Sequence, residues 1–426
     1  MQNDTNTPNH SRRRFLQHSL IGTAGLGLGI ASTSQVRAEP LPNAGDPEID
    51  ETYDVVVFGG GTAGIIAALQ AGRAGASVLI VERGAQLGGT ITTGGVSFPG
   101  LFDAWGQQVI AGIGWDLVKE CVEIDGGNFP DFSRVPQRHW HNQIYLNPYL
   151  YAILAEEKCA EAGVKIAYHE FPLSAAASPD GGWAVTCVGF GTMRRIHCKQ
   201  IIDCTGGAEV VGMLGFERMR EEETQPGSMY YSLNSPMDAG RDNVSRLYVH
   251  GADSSNSRSV AHANITGRKA VLDLVRRHKA RLMHLQQETG FRESYRIVGE
   301  TIITVNDYRN GRKFDDAICN AFYPVDLHTR RGVRPEPLPR GTVSTVPFRA
   351  LIPKNSRDLM VAGRSVSSDR LANSGLRVQA PCMAMGQAAG AAATLAVQKG
   401  TTPLEVPLNE IHALLREHNA IIPGDA

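Results

Sequence analysis

Three glycines in Gly-X-Gly-X-X-Gly order, Gly59, Gly61 and Gly64, are followed by an acidic residue, Glu82, 18 positions beyond the last of them. Residues of these types at this spacing hold a diphosphate rather than break a bond. Gly59 permits a tight strand-to-helix turn, Gly61 lets backbone approach a pyrophosphate, and Gly64 lets a helix lie close on a sheet. Thr62 and Ala63 complete a helix N-terminus, whose unpaired N–H groups carry about half a unit of positive charge. Glu82 can accept hydrogen bonds from a ribose 2′,3′-diol and repels a 2′-phosphate, and Arg83 stands beside it. The elements needed to position these residues are all present. An apolar run, Val55 to Phe58, enters the loop, a small-residue helix follows, and a second run, Val78 to Val81, stops on Glu82. Tyr53 to Glu82 therefore reads as a βαβ unit.

Other residues suit proton and anion chemistry. His328 lies in Tyr323 to Arg331 among arginines; an imidazole titrates near neutral pH and the arginines can clamp an anion. Arg296 and Arg377 are candidates for a bidentate fork on a substrate carboxylate. A structural histidine and ion-paired arginines would have the same residue types, and the sequence leaves both readings open. Tyr308 and Cys382 are further candidates. The seven cysteines are odd in number and show no Cys-X-X-Cys spacing, which argues against a disulfide scaffold, a zinc site or attached haem. No metal site is expected.

Taken in order, residues 1–38 read as an address. Ser11-Arg12-Arg13-Arg14-Phe15-Leu16-Gln17 precedes a weakly apolar, glycine-rich stretch, and Val36-Arg37-Ala38 suits cleavage. Paired arginines in this setting resemble a twin-arginine signal, which exports folded proteins and would place this one in the periplasm or another extracytoplasmic space. That segment carries four arginines and one aspartate, so the remainder has a formal charge of -4. No basic patch argues for nucleic acid. No later apolar run is expected to reach membrane-spanning length, so the processed chain is not expected to be an integral membrane protein.

Residues 39–51 read as a linker. Residues 52–100, 146–217 and 346–426 read as a nucleotide-binding domain, with 101–145 and 218–345 as a substrate or cap domain interleaved with it. A helix is expected around Val109 to Val122, another over Pro148 to Ala162, and a basic one over Gly267 to Glu288. Strands are expected over Lys165 to Tyr168, Trp183 to Val188 and Arg194 to Asp203, together forming a small antiparallel sheet. Glycine pairs return at Gly88-Gly89-Thr90 and Thr205-Gly206-Gly207, where backbone N–H groups can run along an extended cofactor. A strand from Leu359 ends in Gly363-Arg364, and a small-residue helix spans Pro381 to Val397.

The fingerprint, Leu87-Gly88-Gly89-Thr90, Asp203 to Gly207, Val361 to Ser365 and Cys382 to Gly390 together resemble the FAD-dependent oxidoreductase family of glutathione-reductase-like flavoproteins. Arg292 to Glu300 and Tyr323 to His328 resemble its central stretches. The resemblance covers nearly the whole chain after residue 38. It implies an α/β fold, a Rossmann-like FAD-binding domain with parallel and small antiparallel sheets beside an interleaved α+β substrate domain.

FAD needs contacts along its length, which accounts for the later returns to the cofactor. Gly386, Gln387, Ala388 and Ala389 are expected to aim helix N–H groups at the flavin N1 and C2 carbonyl, and Cys382 to pack near the ring. Succinate-oxidising relatives attach FAD to a histidine in the early glycine loop; Gly88 to Gly95 holds threonines there, so attachment at that loop is not implied. The expected activity is hydride transfer between flavin N5 and a small organic substrate. The electron partner would be a cytochrome, a quinone or oxygen. A flavin-bearing relay or binding subunit and a redox-neutral flavoenzyme remain as alternatives.

Overall fold

Val55, Val56, Val57 and Phe58 are all fully buried. An uninterrupted apolar run of this kind belongs to a parallel strand covered on both faces. Val55 and Val57 face a core built largely from helices, whereas Val56 and Phe58 share a second core with Trp183, Val185 and Ile297. The structure is a computed structural model that describes residues 48–136, 138–234 and 244–425. All of these lie in Asp46–Ala426, the second of the two units into which the chain divides. The export signal and residues 39–47 of the linker lie outside the described residues.

The central sheet has seven strands. The parallel part contains β1 (Glu48–Phe58), β2 (Val78–Glu82), β3 (Lys165–Tyr168), β6 (Met193–Asp203) and β10 (Leu359–Val361). The antiparallel part adds β4 (Phe171–Ala177) and β5 (Trp183–Val188), giving the order β3-β2-β1-β6-β5-β4. One long strand joins the two parts. The first half of β6 pairs antiparallel with β5, and its end, Ile201–Asp203, pairs parallel with β10.

Three expectations change here. Lys165–Tyr168 is parallel to β2 at the far edge instead of joining the antiparallel strands. β4 has no counterpart in the sequence reading, because Ser174 and three alanines on a mostly exposed edge carry no apolar alternation. Glu48–Glu51, read as linker, extend β1 and pair with Met193–Ile196.

Helix α1 (Thr62–Arg73) lies between the sheet and α5 (Gln379–Lys399), and all of its residues from Thr62 to Ala71 are buried. α5 is 21 residues long and apolar enough to span a membrane, contrary to the sequence reading, but 83% of its apolar window is buried inside the fold. Small residues make the contact possible. A Cβ on Gly386 would lie 2.2 Å from the Ala63 carbonyl oxygen, and one on Gly390 2.2 Å from that of Ala67. α2 (Ile113–Ile124) starts later than expected, because Gly112 at φ 97 interrupts the apolar run. α2 and α3 (Pro148–Glu161) join the same helical core through Leu117, Val118, Tyr151 and Leu154.

In a separate three-stranded sheet, β7 (Gly227–Asn234) pairs antiparallel with β8 (Val244–Val249) and β9 (Arg281–Leu285). Helix α4 (Ser257–His278) covers them, and Met229, Val249, Ala263 and Val271 form the contact. The basic helix therefore begins ten residues earlier than expected, where Asn256 caps Ser259 N, and stops at Lys279 in the left-handed region. Leu282 and Leu285 fit a helical period, but pairing with β7 draws them into a strand.

Candidate active site

The parallel strands end level with one another. Val81 stands beside Phe58, Phe58 beside Asp203, and Asp203 beside Val361. The residues that follow, Glu82, Gly59, Cys204 to Gly207 and Ala362 to Arg364, line one groove of about 500 Å³. A crevice beyond the carboxyl ends of parallel strands is where doubly wound sheets bind ligands. Gly61, Thr62, Ala63, Arg83, Gly89 and Thr90 line it too, so most of the expected cofactor residues converge.

The glycines differ in their physical roles. Gly59 has φ +95, and a Cβ there would lie 2.5 Å from the Cys204 carbonyl oxygen. A Cβ on Gly64 would lie 1.9 Å from the Gly59 carbonyl oxygen, so Gly64 supports the turn from below and does not line the groove. Gly88 is likewise a support: its N–H donates to the Gly60 carbonyl at 2.8 Å. Gly61 is the open one, with nothing within 4 Å of the position a Cβ would take. Glu82 accepts hydrogen bonds from Gly60 N and Gly84 N, both at 2.7 Å. Burial raises its pKa against those two N–H groups, and each carboxylate oxygen keeps a further lone pair to offer at the groove that Glu82 lines.

Beyond Glu82 the groove is walled by Glu170, Phe171, Pro172 and Glu209, none of which the motifs announced. Arg364, also in the lining, is braced by the Gly206 and Phe291 carbonyls, at 2.7 and 3.1 Å. Its side chain fills the space next to Gly206, where a Cβ would meet the guanidinium at 2.7 Å.

Several expected residues lie elsewhere. Gly386, Gln387, Ala388 and Ala389 are two turns inside α5, where backbone N–H groups bond to preceding carbonyls, and they do not line the groove. Gln387 instead accepts from Ile113 N at 3.1 Å and so caps α2, while its amide donates to Gln70 and to the His418 carbonyl. The turn of α5 that does open on the groove contains Gln379 and Cys382. Arg296 is buried under the site, with Nη2 on both Glu221 carboxylate oxygens and Nε on the Ser368 carbonyl. Tyr308 is also structural, donating to the Tyr323 carbonyl and accepting from its N–H.

Gly386 thus serves packing. Gly386→Ala should overpack the α1–α5 contact and cost about 1–3 kcal/mol, a typical penalty for forced core insertions. Thermal unfolding checks this, and an unchanged Tm would contradict it.

His328 and Arg377 do reach the groove, at the end away from Glu82, and there they meet residues not foreseen. A short hairpin pairs His328–Thr329 with Gly332–Val333, and Gln225 Oε1 accepts from His328 N at 3.0 Å. His328 Nε2 lies 3.0 Å from Asp326 Oδ2. Arg377 Nη2 donates to the Asp326 carbonyl at 3.1 Å and lies 3.7 Å from its carboxylate. Burial lowers the His328 pKa, the bond to Asp326 raises it and the charge of Arg292 lowers it, with a net displacement downward. Burial alone would raise Asp326, but the His328 bond and the Arg377 charge overcome it and hold the carboxyl below its usual value.

The ring is therefore neutral at neutral pH. With Nε2–H donated to Asp326, Nδ1 is left as the acceptor. Arg292, Arg246, Tyr230 and Tyr323 complete this end. Asp326 and Arg292 lie within the two central stretches quoted for the resemblance, which was the available signal. Arg246 had none, since it is brought in by pairing with Tyr230 across β7 and β8. Burial pushes the Cys382 thiol up to about 12, which leaves it protonated and unsuited to thiol–disulfide exchange.

The groove suits FAD on its own features. Thr62 Oγ1 is buried without a protein partner beside the open Gly61, and α1 has no side-chain cap and no acidic residue in its first turn. At the other end, the Gln379 side-chain oxygen is buried without a partner at the start of α5. The profile of the FAD dependent oxidoreductases matches residues 54–277 and 249–415. Pseudooxynicotine dehydrogenase from a Pseudomonas species is 38% identical over 87 residues, 20% of this chain and 18% of that one. The chain thus spans about a fifth of the length of that curated relative.

Among solved structures, a geranylgeranyl bacteriochlorophyll reductase-like protein from Thermoplasma acidophilum is 13% identical with a TM-score of 0.43, over 87% of this chain and 83% of that one. A flavoprotein/dehydrogenase from Cytophaga hutchinsonii is 16% identical with a TM-score of 0.44, over 85% of this chain and 82% of that one. The family match over most of the sequence agrees with a groove shaped for a dinucleotide, and the chain belongs to the FAD dependent oxidoreductases, with FAD as its cofactor.

Proposed function

We propose that this protein is an exported oxidoreductase of the glutathione-reductase-like type that moves a hydride between FAD and a small organic substrate. The observation that carries the reading is the His328–Asp326 pair at 3.0 Å, at the opposite end of the groove from Glu82. Gly59 to Ala63, Glu82, Thr205 to Gly207 and Gly363 would hold the cofactor. Bound FAD supplies a two-electron acceptor or donor. The protein then has to place the substrate and handle a proton. His328 Nδ1 accepts the proton that leaves as hydride departs, and Asp326 fixes the ring and balances the charge that results. Arg377, tied to Asp326, holds the pair in place.

Export fits Arg12-Arg13 and the apolar stretch after them, and folded export suits a chain that takes up FAD first. Outside the cytoplasm the electrons would pass to or from a separate cytochrome or quinone, or to oxygen. The test is an anaerobic screen of small acids, alcohols and amines against the yellow protein, repeated in air. One class should bleach the flavin absorbance, and reoxidation in air should separate oxidase from dehydrogenase. Bleaching by dithionite but by no organic compound, in either direction, would count against a substrate of its own. Cell fractionation that finds the protein only in the cytoplasm would count against export.

A further inference from the structure

Among the described residues, positive charge exceeds negative charge at the His328 end of the groove. Three guanidinium groups, Arg246, Arg292 and Arg377, line this end beside one carboxylate, Asp326. Asp326 is committed to His328 and Arg377. Among the described residues Arg292 bonds neutral partners, its Nη1 to the Pro226 carbonyl and its Nη2 to Ser228 Oγ at 2.8 Å. Neither Arg292 nor Arg246 has a carboxylate within ion-pair distance among the described residues. The two flank the ring of Tyr248, at 5.4 and 4.9 Å from its centre. Arg377 Nε is buried without a hydrogen-bond partner.

A cation removed from water is costly unless an anion answers it. Burial and the charge of Arg377 press the Arg292 pKa down to about 10, which still leaves it charged at neutral pH. Aromatic rings supply apolar surface beside these charges. Tyr230 and Tyr323 line the same end, and Phe98 meets Tyr230 edge to ring at 6.3 Å.

We propose that Arg292 and Arg246, with the free edge of Arg377, form a carboxylate-binding subsite, and that the substrate is an organic acid anion with an apolar or aromatic body. The proposal rests on the hydride-transfer reading only in calling the ligand a substrate; the anion site stands or falls on binding. Arg292 offers a planar fork to the carboxylate, Arg246 adds charge at the mouth, and the aromatic side chains receive the carbon skeleton.

The test uses the flavin-loaded full chain, titrated with sodium benzoate, benzamide and inorganic phosphate and followed by flavin difference spectra. Benzoate should give a saturable change, and uncharged benzamide should bind at least about tenfold more weakly. Arg292→Gln should weaken benzoate by about tenfold or more, equivalent to about 1.4 kcal/mol. Arg246→Gln, at a solvent-exposed position, should weaken it by a smaller factor and make binding less sensitive to salt. Equal binding of benzoate and benzamide would overturn the subsite, and phosphate binding as tightly as benzoate would overturn the carboxylate class. If Arg292→Gln fails to fold, the wild-type benzoate–benzamide pair and Arg246→Gln still decide. Charge-selective benzoate binding in a protein that no organic donor or acceptor oxidises or reduces would remove the hydride reading and leave this site in place.

Discussion

Gly61→Leu is expected to give a folded protein without bound FAD. Gly61 has φ -75 and ψ -176, a conformation open to any residue, and the place of its Cβ has no neighbour within 4 Å. A Cβ here therefore meets no other part of the protein and needs no unusual backbone. It puts a branched side chain in front of the α1 N-terminus, where the diphosphate must come close to backbone N–H groups. FAD affinity should fall by about 100-fold or more, a loss of about 2.7 kcal/mol. Adding FAD should raise the Tm of wild-type apoprotein by mass action and leave that of the variant unmoved. Gly59→Leu is the contrasting control, because its Cβ would strike the Cys204 carbonyl at φ +95 and the fold itself should fail. A yellow Gly61→Leu protein with one FAD per chain would mean the groove at α1 is not where the cofactor binds.

The second large effect is expected from His328→Ala, which should lower turnover by about 10²–10⁴, the usual range for a positioned acid–base group. FAD content should not change, since His328 lies at the end of the groove away from the diphosphate loop. The pH profile gives the sharper readout. A base works only when deprotonated, and burial holds the His328 pKa below the ordinary imidazole value of about 6.5. In the direction of substrate oxidation, kcat/KM should be flat at and above neutral pH and should decline as pH falls below that value. Asp326→Asn removes the contribution that raises the His328 pKa, so the decline should move to still lower pH. It should also lower kcat, because an amide can donate as well as accept and no longer enforces the tautomer with Nδ1 free. An acid limb that persists unchanged in His328→Ala would assign the proton to another group.

How much was legible follows from what is local. The turn at Gly59 to Gly64 is local: a positive φ, a helix N-terminus and an acidic strand end lie within 30 residues and need no other part of the chain to be recognised. The strands Trp183–Val188 and Leu359–Val361 were legible because each is a short apolar run closed by turn residues. Where a segment's partner was remote, the sequence was ambiguous. Lys165–Tyr168 could go to either half of the sheet, and Arg281–Leu285 had a helical period until β7 offered it backbone hydrogen bonds.

Site residues divide in the same manner. Glu82, Gly89 and Gly363 act through backbone or through one short side chain at the end of a strand, so their position in the sequence places them in the groove. Arg296 and Arg292 are four residues apart and alike in charge. One is buried against Glu221 and Ser368, and the other faces the groove, a difference set by the pairing of Arg296–Ile297 with Arg218–Met219 and by the bonds of Arg292 to Pro226 and Ser228. Gly386 to Ala389 looked like a cofactor contact because small residues permit close approach to anything; here they approach α1. The amino-acid order by itself determined a dinucleotide site, through a loop that works over a few residues, and its later returns at Thr205 and Gly363 pointed to FAD. The assignment of the arginines to the substrate end or to the scaffold, and of Asp326 to His328, was decided only when distant segments met, because a side chain's charge says nothing about which neighbour will neutralise it.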